Sequence, residues 1–232
     1  MNIVRNDALV RRNARIAQIT MLGGLLVLGG GMFISFRMPE QFGLSLAALM
    51  IGFALSQVGI YFSNRWGRRP RPDELLNQAL KGLDNKYSIY HYTAPVSHLL
   101  VGPSGIWVLM PRHQRGKITY AKGRWHQKGG NLYLKIFAQE SLGRPDLEVM
   151  SEIENLQNFF KKNLPEDTKL PEIQAALVFT NPKAEVDIPE DENPPAATIL
   201  LGKLKEIVRK PTKGKTLSVE KVRQIRQLLE EE

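Results

Sequence analysis

Cysteine is absent from all 232 residues, which removes disulfides, thiolate nucleophiles and cysteine-type zinc or iron–sulfur sites together. Histidine is scarce: His91, His98, His113 and His126 are the whole set, so a multi-histidine metal site would need nearly all of them. No Asp or Glu occurs from Asn85 through Gln139. Two further stretches lack charge of either sign. Ile16 to Phe36 and Phe42 to Phe62 are each 21 residues without one charged side chain, long enough to cross a ~30 Å hydrocarbon core as helices. The length suits one soluble domain plus an extra element, and excludes a large multidomain assembly.

The net charge of +9 is unevenly placed. Residues 1–71 carry nine Arg against Asp7 and Glu40, a balance of +7, whereas residues 72–232 carry only +2. A basic protein invites a nucleic-acid reading, yet most of this excess flanks the two apolar runs. The linker Arg37-Met38-Pro39-Glu40-Gln41 is short and contains a helix-stopping proline, so the runs are expected to form a tight transmembrane hairpin. Arg5, Arg11, Arg12 and Arg15 precede the first span, and Arg65, Arg68, Arg69 and Arg71 follow the second. The positive-inside rule then places both termini in the cytoplasm, with the protein multi-pass in the cell's inner (plasma) membrane. A second span directly after the first argues against a cleaved signal peptide. Tyr61 and Trp66 fit an interfacial aromatic belt.

Ala48, Gly52 and Ser56 recur at intervals of four, as do Gly31 and Ser35, which predicts close packing within the hairpin ahead of a dimer contact. No ionisable group lies inside either span, so a proton relay or ion path has no candidate residues. The hairpin reads as an anchor.

Beyond it, Asp73 is expected to cap a helix over Glu74–Leu83 with one apolar face. YSIYHYTA, SHLLVGP and GIWVLMPR read as strands. KITYA and RWHQ read as a hairpin turning at Lys122-Gly123, and residues 131–138 as a further strand. Apolar steps of three and four predict a helix from Pro145 to Leu164, and EIQAALVFT a strand buried on both faces. Residues 181–195 read as a loop, ATILL as a strand, Leu204–Val208 as a short helix, and Ser218 as the cap of a closing helix. The expected fold class is α/β. A transmembrane hairpin (1–71, spans 16–36 and 42–62) precedes a cytoplasmic mixed-sheet domain (72–232).

The order helix, strand meander, helix, buried strand, together with the phrase HLLVGPSGIWVL, resembles the NERD (nuclease-related) domain, a branch of the PD-(D/E)XK endonucleases. The resemblance covers roughly Pro72–Thr180 and implies a restriction-endonuclease-like sheet. In active members an acid in the first helix, an Asp opening a strand and a Glu-x-Lys closing the next hold Mg²⁺ and activate water. On this chain those positions fall at Glu74, Ser97 and Met110-Pro111-Arg112, and only Glu74 keeps a carboxylate. A thioether is a poor ligand for a hard cation and Arg cannot act as a base. Pro111, lacking an N–H, is expected to end or kink its strand.

The resemblance therefore implies a degenerate site with no metal and no cofactor, and a module that binds or scaffolds. The alternatives are a divergent membrane-tethered nuclease using Mg²⁺ with acids such as Glu74, Asp84 or Glu148, and an accessory subunit of a larger membrane complex. Arg112, Arg115, Lys117, Lys122, Arg124 and Lys128, with Tyr120 and Trp125 among them, form a basic strip open to three readings: a solvated face, a membrane surface or a nucleic-acid contact. A second strip runs through Lys203, Lys205, Arg209, Lys210, Lys213 and Lys215, while residues 140–192 sum to −8. That polarity suits a protein partner of complementary charge. The bilayer is the first expected partner.

Overall fold

The computed structural model describes residues 1–129, 141–165, 172–210 and 216–230, and divides the chain into two compact units. One is formed by residues 7–72. The other joins residues 1–6 to the described residues from Asp73 onward.

The first unit is helical. Helix α1 (Asp7–Arg37) and helix α2 (Phe42–Phe62) are joined through a 3₁₀ turn at Pro39–Gln41, where Pro39 starts a new turn because it cannot continue the old one. Both helical stretches are long and apolar enough to cross a membrane. Only 11% and 17% of their most apolar windows is buried within the chain. Their mutual face is made of small residues. Ser45 Oγ donates to Gly31 O at 2.9 Å, and a Cβ on Gly52 would meet Leu28 N at 2.9 Å and Gly24 O at 3.0 Å. Backbones this close require glycine, as expected for helices associating by van der Waals packing. At the end of α2, Arg65 Nη1 donates to Tyr61 Oη at 2.8 Å, and Phe62 and Trp66 stack with centroids 5.3 Å apart.

The second unit is built on a six-stranded mixed sheet of order β1-β2-β3-β4-β7-β9. Its strands are β1 (Asn2–Arg5), β2 (Ser88–His91), β3 (His98–Gly102), β4 (Gly105–Arg112), β7 (Ile173–Phe179) and β9 (Ala197–Leu200). Strands β2, β3 and β4 form an antiparallel meander, while β1 joins β2, β7 joins β4 and β9 joins β7 in parallel. A smaller sheet of order β6-β5-β8 contains β5 (Gly116–Ala121), β6 (Arg124–Lys128) and β8 (Ala184–Val186). The Lys122-Gly123 turn has φ of 52° and 74°, the left-handed pair that suits the twist of a two-residue hairpin.

Strand periodicity sorts the side chains into two layers. Ile89, Leu100, Trp107, Leu109, Ala176 and Val178 face helices α3 (Pro72–Ala79) and α5 (Leu204–Arg209), which contribute Leu76, Leu204 and Val208, with Leu80 from the turn after α3. Tyr90, Leu99, Val108, Leu177 and Phe179 face α4 (Pro145–Asn163) and α6 (Val219–Glu230), with Leu156, Phe160, Ile225 and Leu229. Strand β7 is buried on both faces, as its unbroken apolar run predicts.

Four expectations change. Residues 1–6 are not a basic flank of the hairpin. They form a strand of the sheet, with Ile3 opposite Ile89 and Arg5 opposite His91, so the boundary at 71 misses a returning segment. Asp73 lies inside the first turn of α3 and is not a free cap. The 181–195 segment holds β8, paired to β5. Pro111 neither ends nor kinks β4: it pairs opposite Val178, and Arg112 continues the ladder. The geometry explains the tolerance. Thr180 N donates to Arg112 O at 2.8 Å, which turns Pro111 away from β7 toward the side where the β3 pairing has stopped at Val108. The strand expected over 131–138 and the cations Lys213 and Lys215 lie outside the described residues.

Candidate functional site

The carboxyl ends of β1, β2, β4 and β7 and the start of β3 meet at one end of the large sheet. Every position matching the nuclease pattern sits near this end, on different sides of it. Ser97 is exposed just before β3, where its carbonyl accepts from Tyr92 N at 3.0 Å. Met110 packs against the α4–α6 layer, and Arg112, two residues on, shares that face. Glu74 is half-buried on α3, whose core contacts are on the other face.

Arg112 meets a carboxylate that comes from α4. Its Nη2 donates to Glu148 Oε2 at 2.6 Å, with only 13% of the Arg112 side chain exposed, and its Nε has no hydrogen-bond partner. A hydroxyl, a thioether and a guanidinium already paired to a carboxylate do not fit a hard dication such as Mg²⁺. Among the described residues, no group of three or more His, Asp or Glu is placed to hold a metal ion.

On the α3 face, the same end of the sheet carries a buried polar network that sequence reasoning missed. The fully buried Asp73 carboxylate accepts from Arg5 Nη1 at 3.0 Å. His91 lies between two partners, with Nε2 3.0 Å from Asn77 Oδ1 and Nδ1 2.8 Å from His98 Nδ1. An amide oxygen at Nε2 needs the proton there, which leaves His91 Nδ1 to accept from the Nδ1–H of His98. Burial lowers the His91 pKa to about 4, opposed by the nearby Asp73 and reinforced by Arg5. His91 is therefore neutral and serves to hold the network in register. Tyr92, in a left-handed conformation at φ 60°, stacks edge-on to His98 with centroids 4.9 Å apart. A cavity of about 670 Å³ opens beside it, lined by Val4, Asn6, Tyr92, Thr93, Phe159 and Glu230. Spacing could not reveal this network. Its members come from four elements, and Arg5 is separated from the others by the whole hairpin.

The basic strip divides into two populations. Trp125 is buried at 6% exposure against Tyr120, centroids 4.8 Å apart, and its Nε1 donates to Thr198 Oγ1 at 2.9 Å. Neither ring is offered to solvent for stacking. Lys117, Lys122, Arg124 and Lys128 are exposed, Arg115 is half-buried, and Arg112 belongs to the Glu148 pair. Lys117 Nζ lies 2.6 Å from Asp187 Oδ2, and that carboxylate raises the lysine pKa.

No family model, curated protein or solved structure matches the chain.

Proposed function

We propose that this chain is a membrane-anchored protein whose two-span hairpin holds a NERD-like domain at the cytoplasmic face of the cell's inner membrane. The domain acts there as a catalytically degenerate binding or scaffolding module. The observation that carries the reading is the return of β1. The chain leaves the sheet domain at Asn6 and rejoins it at Asp73, with two membrane-length helices between. Strands of one sheet share one compartment, so the two helices must cross as a hairpin. The arginines at both ends of that hairpin favour the cytoplasm.

The order α3, antiparallel β2–β4, α4, then β7 parallel to β4 supports the restriction-endonuclease-like arrangement that the resemblance implies. The engagement of Arg112 by Glu148 supports degeneracy, since the carboxylate brought beside the end of β4 is bound by a guanidinium. Isothermal titration with Mg²⁺ or Mn²⁺, combined with plasmid nicking by the purified full chain, tests this. The expected result is neither metal uptake nor nicking above background. Metal-dependent cleavage abolished by Glu74→Ala would overturn it.

A further inference from the structure

We infer that the outer face of the small sheet is a docking surface for anionic lipid headgroups. The register aligns Lys117 with Lys128, Thr119 with His126 and Ala121 with Arg124 on one face, while Ile118, Tyr120 and Trp125 point into the core. That outer face presents Arg124, His126 and Lys128 exposed around the small side chains Thr119 and Ala121, with Lys122 at the adjoining turn. The acids of this face gather at its β8 edge, where the exposed Glu185 stands opposite Lys117 and Asp187 Oδ2 lies 2.6 Å from Lys117 Nζ; Glu192 Oε1 accepts from Lys122 N at 3.3 Å, and the cations of β6 lie on the far side of β5 from β8.

Three observations favour a lipid surface over a nucleic acid. First, the rings that would stack a base are buried, one of them tied to Thr198, so the face offers charge without a stacking platform. Second, β6 and the Lys122-Gly123 turn, on the side of β5 away from the acidic β8, set Arg124, Lys128 and Lys122 around the small side chains Thr119 and Ala121, a shallow cationic surface suited to a layer of headgroups. Third, the domain is continuous in sequence with the hairpin at both Asn6 and Asp73, so a bilayer crossed by the hairpin is held at high effective concentration. This last point rests on the membrane-anchor reading. Basic side chains near an anionic leaflet attract it additively, each giving roughly a fivefold gain in surface occupancy, and the attraction decays within a Debye length.

The test uses the full chain in nanodiscs, with Thr119→Cys as the only cysteine carrying a fluorophore and with headgroup-quencher lipid in the bilayer. Strong quenching is expected with a phosphatidylglycerol-containing bilayer, and little with phosphatidylcholine alone or at high salt. The triple variant Lys122→Glu, Arg124→Glu, Lys128→Glu should lower the docked-to-undocked ratio by at least about 100-fold, the value for losing three cations alone. Circular dichroism is expected to be unchanged, because all three side chains are exposed. Quenching indifferent to anionic lipid and to the triple variant overturns the proposal. So does an unlabelled DNA or RNA duplex displacing the face from the anionic bilayer while the triple variant abolishes duplex binding. Resistance to alkaline extraction is measured in parallel. If the chain is extracted, the anchor itself fails and the docking proposal falls with it; if the chain stays inserted without anionic-lipid-dependent quenching, only the docking proposal fails.

Discussion

Arg5 and Asp73 are 68 positions apart, yet the guanidinium and the fully buried carboxylate lie 3.0 Å from each other. Between them runs the whole apolar hairpin. The pair closes the neck of that excursion at the point where β1 ends and α3 begins.

Because Asp73 has no exposure, removing its partner leaves a buried charge to be compensated by what remains around it. Arg5→Ala is expected to destabilise the sheet domain by about 3 kcal/mol, and Asp73→Asn in the same background to recover a large part of the loss. Urea titrations of the detergent-solubilised chain, arranged as a double-mutant cycle, measure the coupling. Additive losses would show that the pair is not an energetic unit.

Acid should loosen the same region through His91. Its folded pKa of about 4 lies below the ordinary imidazole value of about 6.5, so the unfolded chain binds a proton first as pH falls. The stabilisation is complete above about pH 6.5 and is lost progressively toward pH 4, amounting to roughly 3 kcal/mol. Protonation would place a hydrogen on Nδ1, which faces His98 at 2.8 Å, and force the shared proton to relocate. Thermal melts across this range should fall in the native chain and flatten in His91→Gln.

Within the hairpin, glycines differ by position. A Cβ at Gly52 would press on Leu28 N and Gly24 O, whereas one at Gly23 meets nothing within 4 Å. Gly52→Ala is therefore expected to cost about 1–3 kcal/mol of helix association, and Gly23→Ala to be close to neutral. Steric trapping or crosslinking of the two helices in bilayers separates the two variants.

Trp125 offers a discriminating substitution on the strip. Trp125→Ala should cost about 3–5 kcal/mol of domain stability through the cavity it leaves beside Tyr120, visible as a lowered urea midpoint. A ring that served only as a stacking surface would leave the midpoint unchanged.

Most of the domain was legible in sequence because its signals are local. Apolar runs marked β3, β4 and β7, Lys122-Gly123 marked the hairpin, and three- and four-residue steps marked α4. What escaped was non-local. Asn2–Arg5 is too short to show an alternation, and its partner strand starts 86 positions later at Ser88, so four residues before a long apolar helix read as a flank. Asp73 looked like a cap because its role is fixed by Arg5, which spacing does not connect to it. Pro111 seemed to forbid a central strand because the prediction lacked one fact, that β3 pairs with β4 only as far as Val108.

Whether the hairpin returns both of its ends to one side of the membrane, as proposed, is directly measurable because the chain lacks cysteine. Single cysteines at Asn2, Gln41 and Asn193 are treated with a membrane-impermeant thiol reagent in intact and permeabilised cells. Gln41→Cys is expected to be labelled in intact cells, and Asn2→Cys and Asn193→Cys only after permeabilisation. Shielding at Gln41 with labelling at Asn193 in intact cells, or Asn2 and Asn193 on opposite sides, would contradict it.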